Sequence, residues 1–258
     1  MVETLDPKSL TVLVTGATSG FGAAIARRFA GAGAKVVITG RRADRLKAMK
    51  DELGVRCHAV VCDARDRDAS DAMLAGLPTE FAAPDVAVAN AGLALGLEPA
   101  HRADMKDWED MVATNINGML YTVRAILPSM VERDRGHVVL MGSIAADFPY
   151  PGGNVYGATK AFVEQFALNL RADLLGSNVR VTDIEPGLAQ TEFSLVRFHG
   201  DAERARRTYE GIRPLSGEDV AETVFWATTL PRHVNVNRLQ VMPVMQSFGP
   251  FVYKRDLA

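Results

Sequence analysis

Short β-branched runs alternate with longer amphipathic ones along nearly the whole chain. Residues 10–15 predict a strand, followed by a helix over about 20–32. A second strand is expected at 35–39 with a helix over 44–53, and a third at 56–62 with a short helix near 67–76. Residues 86–90 predict a fourth strand, then a loop and one long helix over about 103–133. The series continues with a strand at 137–141, a helix over 156–175, a strand at 179–184, a helix over 218–229 and a last strand at 239–244. Apolar strands separated by helices imply a parallel sheet covered on both faces. Right-handed crossovers make such a sheet doubly wound. The fold class is therefore α/β. No repeat, low-complexity tract or linker marks a boundary, so 1–258 reads as one domain. Two segments fall outside the alternation, 186–213 and the tail from Gln246. The first lies where substrate loops sit in such folds.

Composition removes several function classes. Lys and Arg total 29 against 31 Asp and Glu, a net charge of −2, which argues against nucleic acid or an anionic membrane as the main partner. No apolar run reaches the roughly 20 residues of a membrane span. The first residues lack the basic start and apolar stretch of a signal peptide. Cys57 and Cys62 are the only cysteines, which excludes a disulfide scaffold and fits a reducing cytoplasm. Five scattered histidines in no ligand-like spacing leave no metal site to expect. Gly142-Ser143 lacks the second glycine of a hydrolase nucleophile elbow.

Thr15-Gly16-Ala17-Thr18-Ser19-Gly20-Phe21-Gly22 joins the first strand to the first helix. Glycines there permit a sharp turn and a close approach of a pyrophosphate, and the helix N-terminus beyond offers N–H groups to it. The plain alternative is a tight turn without a ligand. NAD-binding versions of this unit carry an acidic residue about 20 residues on. Here the second strand ends in Thr39-Gly40-Arg41-Arg42, so two guanidiniums stand where that carboxylate would. Arginine suits a 2′-phosphate by charge and by its fork of donors, which favours NADP over NAD. Solvated loop charges are the ordinary alternative. Asp63 and Ala64, past the third strand, are placed to flank an adenine, or Asp63 is a turn or cap residue.

Tyr156-Gly157-Ala158-Thr159-Lys160 puts a phenol and an ammonium at i and i+4 on one helix face. A free phenol, with a pKa near 10, is a poor base at neutral pH, and a nearby cation favours its ionised form. Ser143 follows the fifth strand at the carboxyl end of the sheet, where its hydroxyl can meet a carbonyl oxygen. Asn115 sits inside the long helix, where it is a mediocre former and can bind water or backbone at a local break. Each of these alone also reads as an ordinary helix-face or turn residue.

Together they resemble the short-chain dehydrogenase/reductase family over essentially the whole chain. The glycine loop, Ala89-Asn90-Ala91-Gly92, Asn115, Ser143, Tyr156 with Lys160, and Pro186-Gly187 fall in family order and spacing. One departure is Ala89, where the family usually has Asn, and a changed local hydrogen bond is expected there. The resemblance implies one Rossmann-type domain with a seven-stranded parallel sheet flanked by helices, usually assembled as a homotetramer. It implies Tyr156 as general acid/base, Lys160 lowering its pKa and holding the nicotinamide ribose, Ser143 polarising the carbonyl and Asn115 anchoring a relay water. Asn90, Pro186, Gly187 and Thr191 join the cofactor contacts.

Within the family, Thr182-Asp183-Ile184-Glu185-Pro186-Gly187, Thr191-Glu192-Phe193-Ser194, Val196-Arg197-Phe198, Gly152–Lys160, Leu93–Gly96 and His233–Asn237 resemble the NADP-dependent 3-hydroxy acid dehydrogenases. That subgroup oxidises the β-hydroxyl of short acids such as serine, allo-threonine or 3-hydroxypropionate. Such a substrate carries a carboxylate beside the reacting carbon, and Arg197 in the 186–213 segment is the candidate partner. A surface arginine, or one in a salt bridge to Glu192 or Asp201, is the equal alternative. The rival functions are reduction of another ketone or 3-oxoacyl substrate, and a non-catalytic NADP(H)-binding regulator.

Overall fold

A computed structural model describes residues 4–249, so the tail residues 250–258 lie outside the description. Seven parallel strands form one sheet in the order β3-β2-β1-β4-β5-β6-β7. They are β1 (Thr11–Val14), β2 (Lys35–Gly40), β3 (Cys57–Val61), β4 (Val86–Ala89), β5 (Gly136–Met141), β6 (Val179–Pro186) and β7 (Arg238–Val241). The helices are α1 (Gly20–Gly31), α2 (Ala43–Leu53), α3 (Arg67–Ala75), α4 (Met105–Val112), α5 (Met119–Glu132), α6 (Asn154–Asp173), α7 (Phe193–Arg197), α8 (Ala202–Arg207) and α9 (Gly217–Thr229). This is the expected α/β doubly wound domain.

Every residue of β1, β4 and β6 is buried, because helices cover the sheet on both sides. One core joins Val12, Val14 and Ile184 to Ile25 and Phe29 of α1 and Val224 of α9. The other joins Leu13, Val138 and Val181 to Ile126 of α5 and Val163 of α6. The strand order reverses between β1 and β4, and their carboxyl ends open a crevice there, the usual ligand position in such sheets.

Three expectations are corrected. The single helix over 103–133 is interrupted: Ala113–Gly118 is a π-helical turn between α4 and α5. The 186–213 segment is not wholly irregular. β6 runs through Pro186, and two short helices follow, with the Asp201 side chain accepting from Arg204 N–H to cap α8. Neither short helix is long enough to show a hydrophobic period in the sequence. β7 also stops at Val241, three residues early.

Candidate active site

The glycine loop leaves the end of β1 and feeds α1. Gly16 and Gly20 hold positive φ of 66° and 53°, which only glycine adopts cheaply. A Cβ on Gly22 would lie 2.5 Å from both the Gly16 oxygen and Asn90 Nδ2, so the loop closes only with glycine there. Asn90 ties the loop to β4, its Nδ2 donating to the Thr15 oxygen at 2.8 Å, while Thr15 Oγ1 accepts from the Asn90 and Ala91 N–H groups at 3.0 and 3.1 Å. Ala89 is buried in the apolar core, and this Thr15–Asn90 clamp carries the local hydrogen bonding. Ser19, at the head of α1, makes no side-chain cap; its Oγ accepts from Arg42 instead. The first-turn N–H groups of α1 therefore face the crevice without a capping side chain, as an anion site requires.

Arg42 heads α2 and reaches back across the crevice. Its Nε and Nη2 donate to Thr18 Oγ1 at 3.0 and 2.7 Å, and Nη2 also to Ser19 Oγ at 2.8 Å. Arg41 and Arg42 line one cleft with Gly16, Thr18, Ser19, Gly20 and Phe21, with Asp63 and Ala64, with Asn90, with Tyr156 and Lys160, and with Thr191. Glycines that a Cβ would fill, an uncapped helix N-terminus and two guanidiniums without an acidic residue at the end of β2 together fit a phosphorylated dinucleotide. Asp63 does not cap α3, a role Asp66 takes. Its carboxylate pairs with Arg65 at 2.6 Å, and that hydrogen bond holds it below the usual carboxylate range.

Tyr156 and Lys160 sit on the buried face of α6, and Ser143 follows β5. Lys160 Nζ donates to the Met141 oxygen at 2.7 Å, anchoring the ammonium to the end of β5. Burial lowers its pKa to about 8, against the pull of Asp183. Burial also pushes the Tyr156 phenol above its ordinary value, while a hydrogen bond with Ser143 and the charge of Arg197 oppose the rise. The expected depression of this phenol by Lys160 is therefore not a property of the protein's groups alone: the ammonium stands 5.8 Å from the ring centre and points to a carbonyl. Asn115 lies in the π-helical turn, not in a regular helix. Its Oδ1 accepts from Leu93 N–H at 2.9 Å, and its Nδ2 donates to the Leu93 oxygen at 2.8 Å and Thr159 Oγ1 at 3.0 Å. It thus joins the exit of β4 to α6 one residue before Lys160.

Gly22, Asn115, Ser143, Pro186 and Gly187 do not line that cleft: Gly22 packs on Gly16 and Asn90, Asn115 bonds Leu93 and Thr159, Ser143 bonds the Tyr156 phenol, Pro186 ends β6, and Gly187 N–H donates to the Val241 oxygen at 2.7 Å. Thr191 approaches from the other side, with its Oγ1 accepting from Phe193 N–H at 3.1 Å and its side chain 3.5 Å from where a Cβ on Gly20 would be.

Arg197 is buried, and neither alternative partner holds it: Glu192 pairs with Arg42 and Arg45, and Asp201 caps α8. Its Nε donates to the Gly96 oxygen at 3.2 Å and its Nη2 to Tyr150 Oη at 2.7 Å, with the guanidinium 5.5 Å from the Tyr156 ring centre. No carboxylate forms an ion pair with it among the described residues. Sequence reasoning missed Tyr150, Phe193 and Glu192. Tyr150 supports Arg197, and the Phe193 ring stands edge-on to Tyr156 at 5.7 Å between centres. Asp183 was also missed; it is buried beneath the site, and a Cβ on Gly142 would lie 2.4 Å from its Oδ1. Burial and neighbouring Glu185 raise its pKa to about 8. Only the spacing of acidic residues in Asp183-Ile184-Glu185, alternating on one strand face, hints at this pair in the sequence.

Residues 10–200 match the family model described as short chain dehydrogenase. The chain is 59% identical over 241 residues to the NADP-dependent 3-hydroxy acid dehydrogenase YdfG of Salmonella typhi, covering 93% of this chain and 97% of that protein. It is 51% identical over 246 residues to the serine 3-dehydrogenase of Rhizobium radiobacter, covering 95% and 98%. The fold superposes on the closed form of a serine dehydrogenase complexed with NADP+ with a TM-score of 0.93 at 56% identity, covering 96% of this chain and all of that one. Motif order, a matched family model over most of the chain and this degree of identity agree: the chain belongs to the short-chain dehydrogenase family.

Proposed function

We propose that this protein is an NADP-dependent oxidoreductase that moves a hydride between the nicotinamide and the β-hydroxyl carbon of short 3-hydroxy acids. The observation that carries the substrate class is Arg197: a buried guanidinium beside Tyr156, bonded among the described residues only to neutral oxygens. Buried charges are normally paired, and a substrate carboxylate is a partner of the right sign, delivered next to the tyrosine. Arg197→Ala is accordingly expected to lower kcat/KM for carboxylate substrates about 100-fold while changing neutral alcohols of the same size less than about threefold, an ion-pair effect of roughly 2–3 kcal/mol. Steady-state kinetics on matched pairs check it, and equal losses on both sets would remove Arg197 from the substrate site.

The glycine loop from Gly16 to Gly22 and the head of α1 would hold the pyrophosphate, Arg41 and Arg42 the 2′-phosphate, Asp63, Ala64 and Asn90 the adenosine side, and Pro186, Gly187 and Thr191 the nicotinamide end. When bound, the cofactor supplies the hydride donor or acceptor and, in its oxidised form, a positive charge near the tyrosine. Tyr156 exchanges the proton with the substrate oxygen. The protein's own groups keep its phenol protonated at neutral pH, the state in which it can hand a proton to a carbonyl oxygen. Ser143 holds that oxygen in place through its hydroxyl. Lys160, fixed by the Met141 oxygen, presents its charge beside the ribose and the tyrosine. Asn115 keeps the π-helical turn, Leu93 and α6 in register, so that a relay water has a fixed anchor.

The decisive experiment is NADP reduction over L-serine, L-allo-threonine, 3-hydroxypropionate and 3-hydroxyisobutyrate, beside neutral alcohols and with NAD as control. Turnover confined to the acids with NADP is expected. Turnover of neutral alcohols alone would keep the family and discard the substrate class. Assembly as a cytoplasmic homotetramer belongs to the same reading. It is supported by apolar side chains exposed on α4 and α6, namely Val112, Phe162 and Leu168, and by two buried, unpaired thiols at Cys57 and Cys62.

A further inference from the structure

Glu192, immediately before α7, reaches across the crevice to two arginines of the cofactor side. Its Oε1 and Oε2 lie 2.7 and 2.9 Å from Arg45 Nη1, and Oε2 lies 3.2 Å from Arg42 Nη1. Burial favours the protonated acid, but the hydrogen bonds from Arg45 and Arg42 outweigh it and hold the carboxyl below its usual range. A carboxylate therefore sits on the guanidinium of Arg42, whose other nitrogens are committed to Thr18 and Ser19. A phosphate dianion competes for the same donors with more charge and more acceptor oxygens. The three partners are 39%, 41% and 42% exposed for Arg42, Glu192 and Arg45, and ion pairs at such exposure are weakly held.

We propose that Glu192 is an internal competitor of the cofactor's 2′-phosphate, and that Arg45 is a third phosphate-binding cation beside Arg41 and Arg42. This rests on the reading of Arg41 and Arg42 as the 2′-phosphate residues. Binding of NADP(H) exchanges one anion for another on Arg42 and Arg45 and frees Glu192; no covalent bond changes. A cofactor without the phosphate leaves Glu192 in place. The exchange reaches the substrate side, because Glu192 precedes the five residues of α7 and Arg197 ends them, over Tyr156. Glu192 and Arg45 thereby set part of the preference for NADP over NAD.

The test is the dissociation constant of NADPH and of NADH, read by fluorescence titration at fixed pH and ionic strength. Glu192→Gln is expected to tighten NADPH about three- to tenfold and to leave NADH within twofold. Arg45→Gln is expected to weaken NADPH about fivefold or more, again sparing NADH. Glu52→Gln removes a nearby negative charge that Arg27 pairs with instead, and it is expected to change neither. Weaker NADPH binding in Glu192→Gln would make Glu192 a support for the arginines and overturn the proposal. So would an equal shift of both cofactors, or an equal gain from Glu52→Gln. Arg41→Ala with Arg42→Ala separates the layers. If that pair fails to distinguish NADPH from NADH, the underlying assignment fails. If it distinguishes them while Glu192→Gln leaves NADPH unmoved, only the competitor fails.

Discussion

Tyr156→Phe is expected to abolish the proton transfer while leaving the cofactor bound. General acid–base catalysis contributes about 10²–10⁴-fold, and the neighbouring Tyr150 phenol is committed to Arg197, so a loss near the upper end follows. The phenyl ring fills the same buried space between Phe193 and Lys160, and the substitution removes one oxygen without opening a cavity. NADPH affinity should stay within about threefold, because the cleft's phosphate-facing groups lie at the other end. Single-turnover hydride transfer beside a binding titration separates the two effects. A kcat reduced less than about tenfold would move the acid/base role elsewhere. The pH dependence adds a second reading. Burial holds the phenol above its ordinary value and lowers Lys160 to about 8, so carbonyl reduction by the wild type should persist through neutral pH, weaken as the Lys160 charge is lost and fall further as the phenol deprotonates. Ser143→Ala removes a hydrogen bond that opposes the rise of the phenol, so this second, more alkaline step should move to still higher pH.

The centre of the sheet was legible because β1 and β4 are nearly continuous apolar runs, as strands covered on both faces require; β6 was legible in spite of alternating Arg180, Thr182, Asp183 and Glu185 with apolar residues. The glycine loop, the paired arginines and Tyr156 with Lys160 were legible because each needs residues close in sequence. What escaped depends on contacts between distant segments. The π-helical turn at Asn115 keeps nearly the same hydrophobic period as the helices around it, and its amide is satisfied by Leu93, 22 residues earlier. Glu192 meets Arg42 and Arg45 across 150 and 147 residues, so no local pattern could separate it from a pairing with Arg197 five residues away. The i,i+4 spacing places Lys160 on the same helix face as Tyr156, but it says nothing of the Met141 carbonyl that accepts the ammonium's hydrogen bond or of the burial that raises the phenol in the protein without its cofactor.

Arg41→Ala with Arg42→Ala should cost NADP far more than NAD. Hydrogen bonds to charged groups contribute about 1.5–3 kcal/mol each when well held, and these partly exposed arginines fall at the low end, so a loss of about 2–4 kcal/mol, or roughly 30- to 1000-fold in kcat/KM for NADP, is expected. The two residues do not act alike. Arg42 also ties down Thr18 and Ser19, so its removal loosens the glycine loop and should weaken both dinucleotides by a common factor. Arg41 makes no such contact with the loop, so Arg41→Ala alone should cost only the phosphorylated cofactor. The informative quantity is therefore the ratio of kcat/KM for NADP to that for NAD in each single variant and in the pair. A ratio that falls stepwise, with the common factor appearing only where Arg42 is lost, assigns the phosphate to both guanidiniums and the loop support to one. A ratio unchanged in the double variant would leave the arginines as loop supports, and the charge that selects NADP would have to be sought at other guanidiniums of this end of the crevice, such as Arg45 or Arg65.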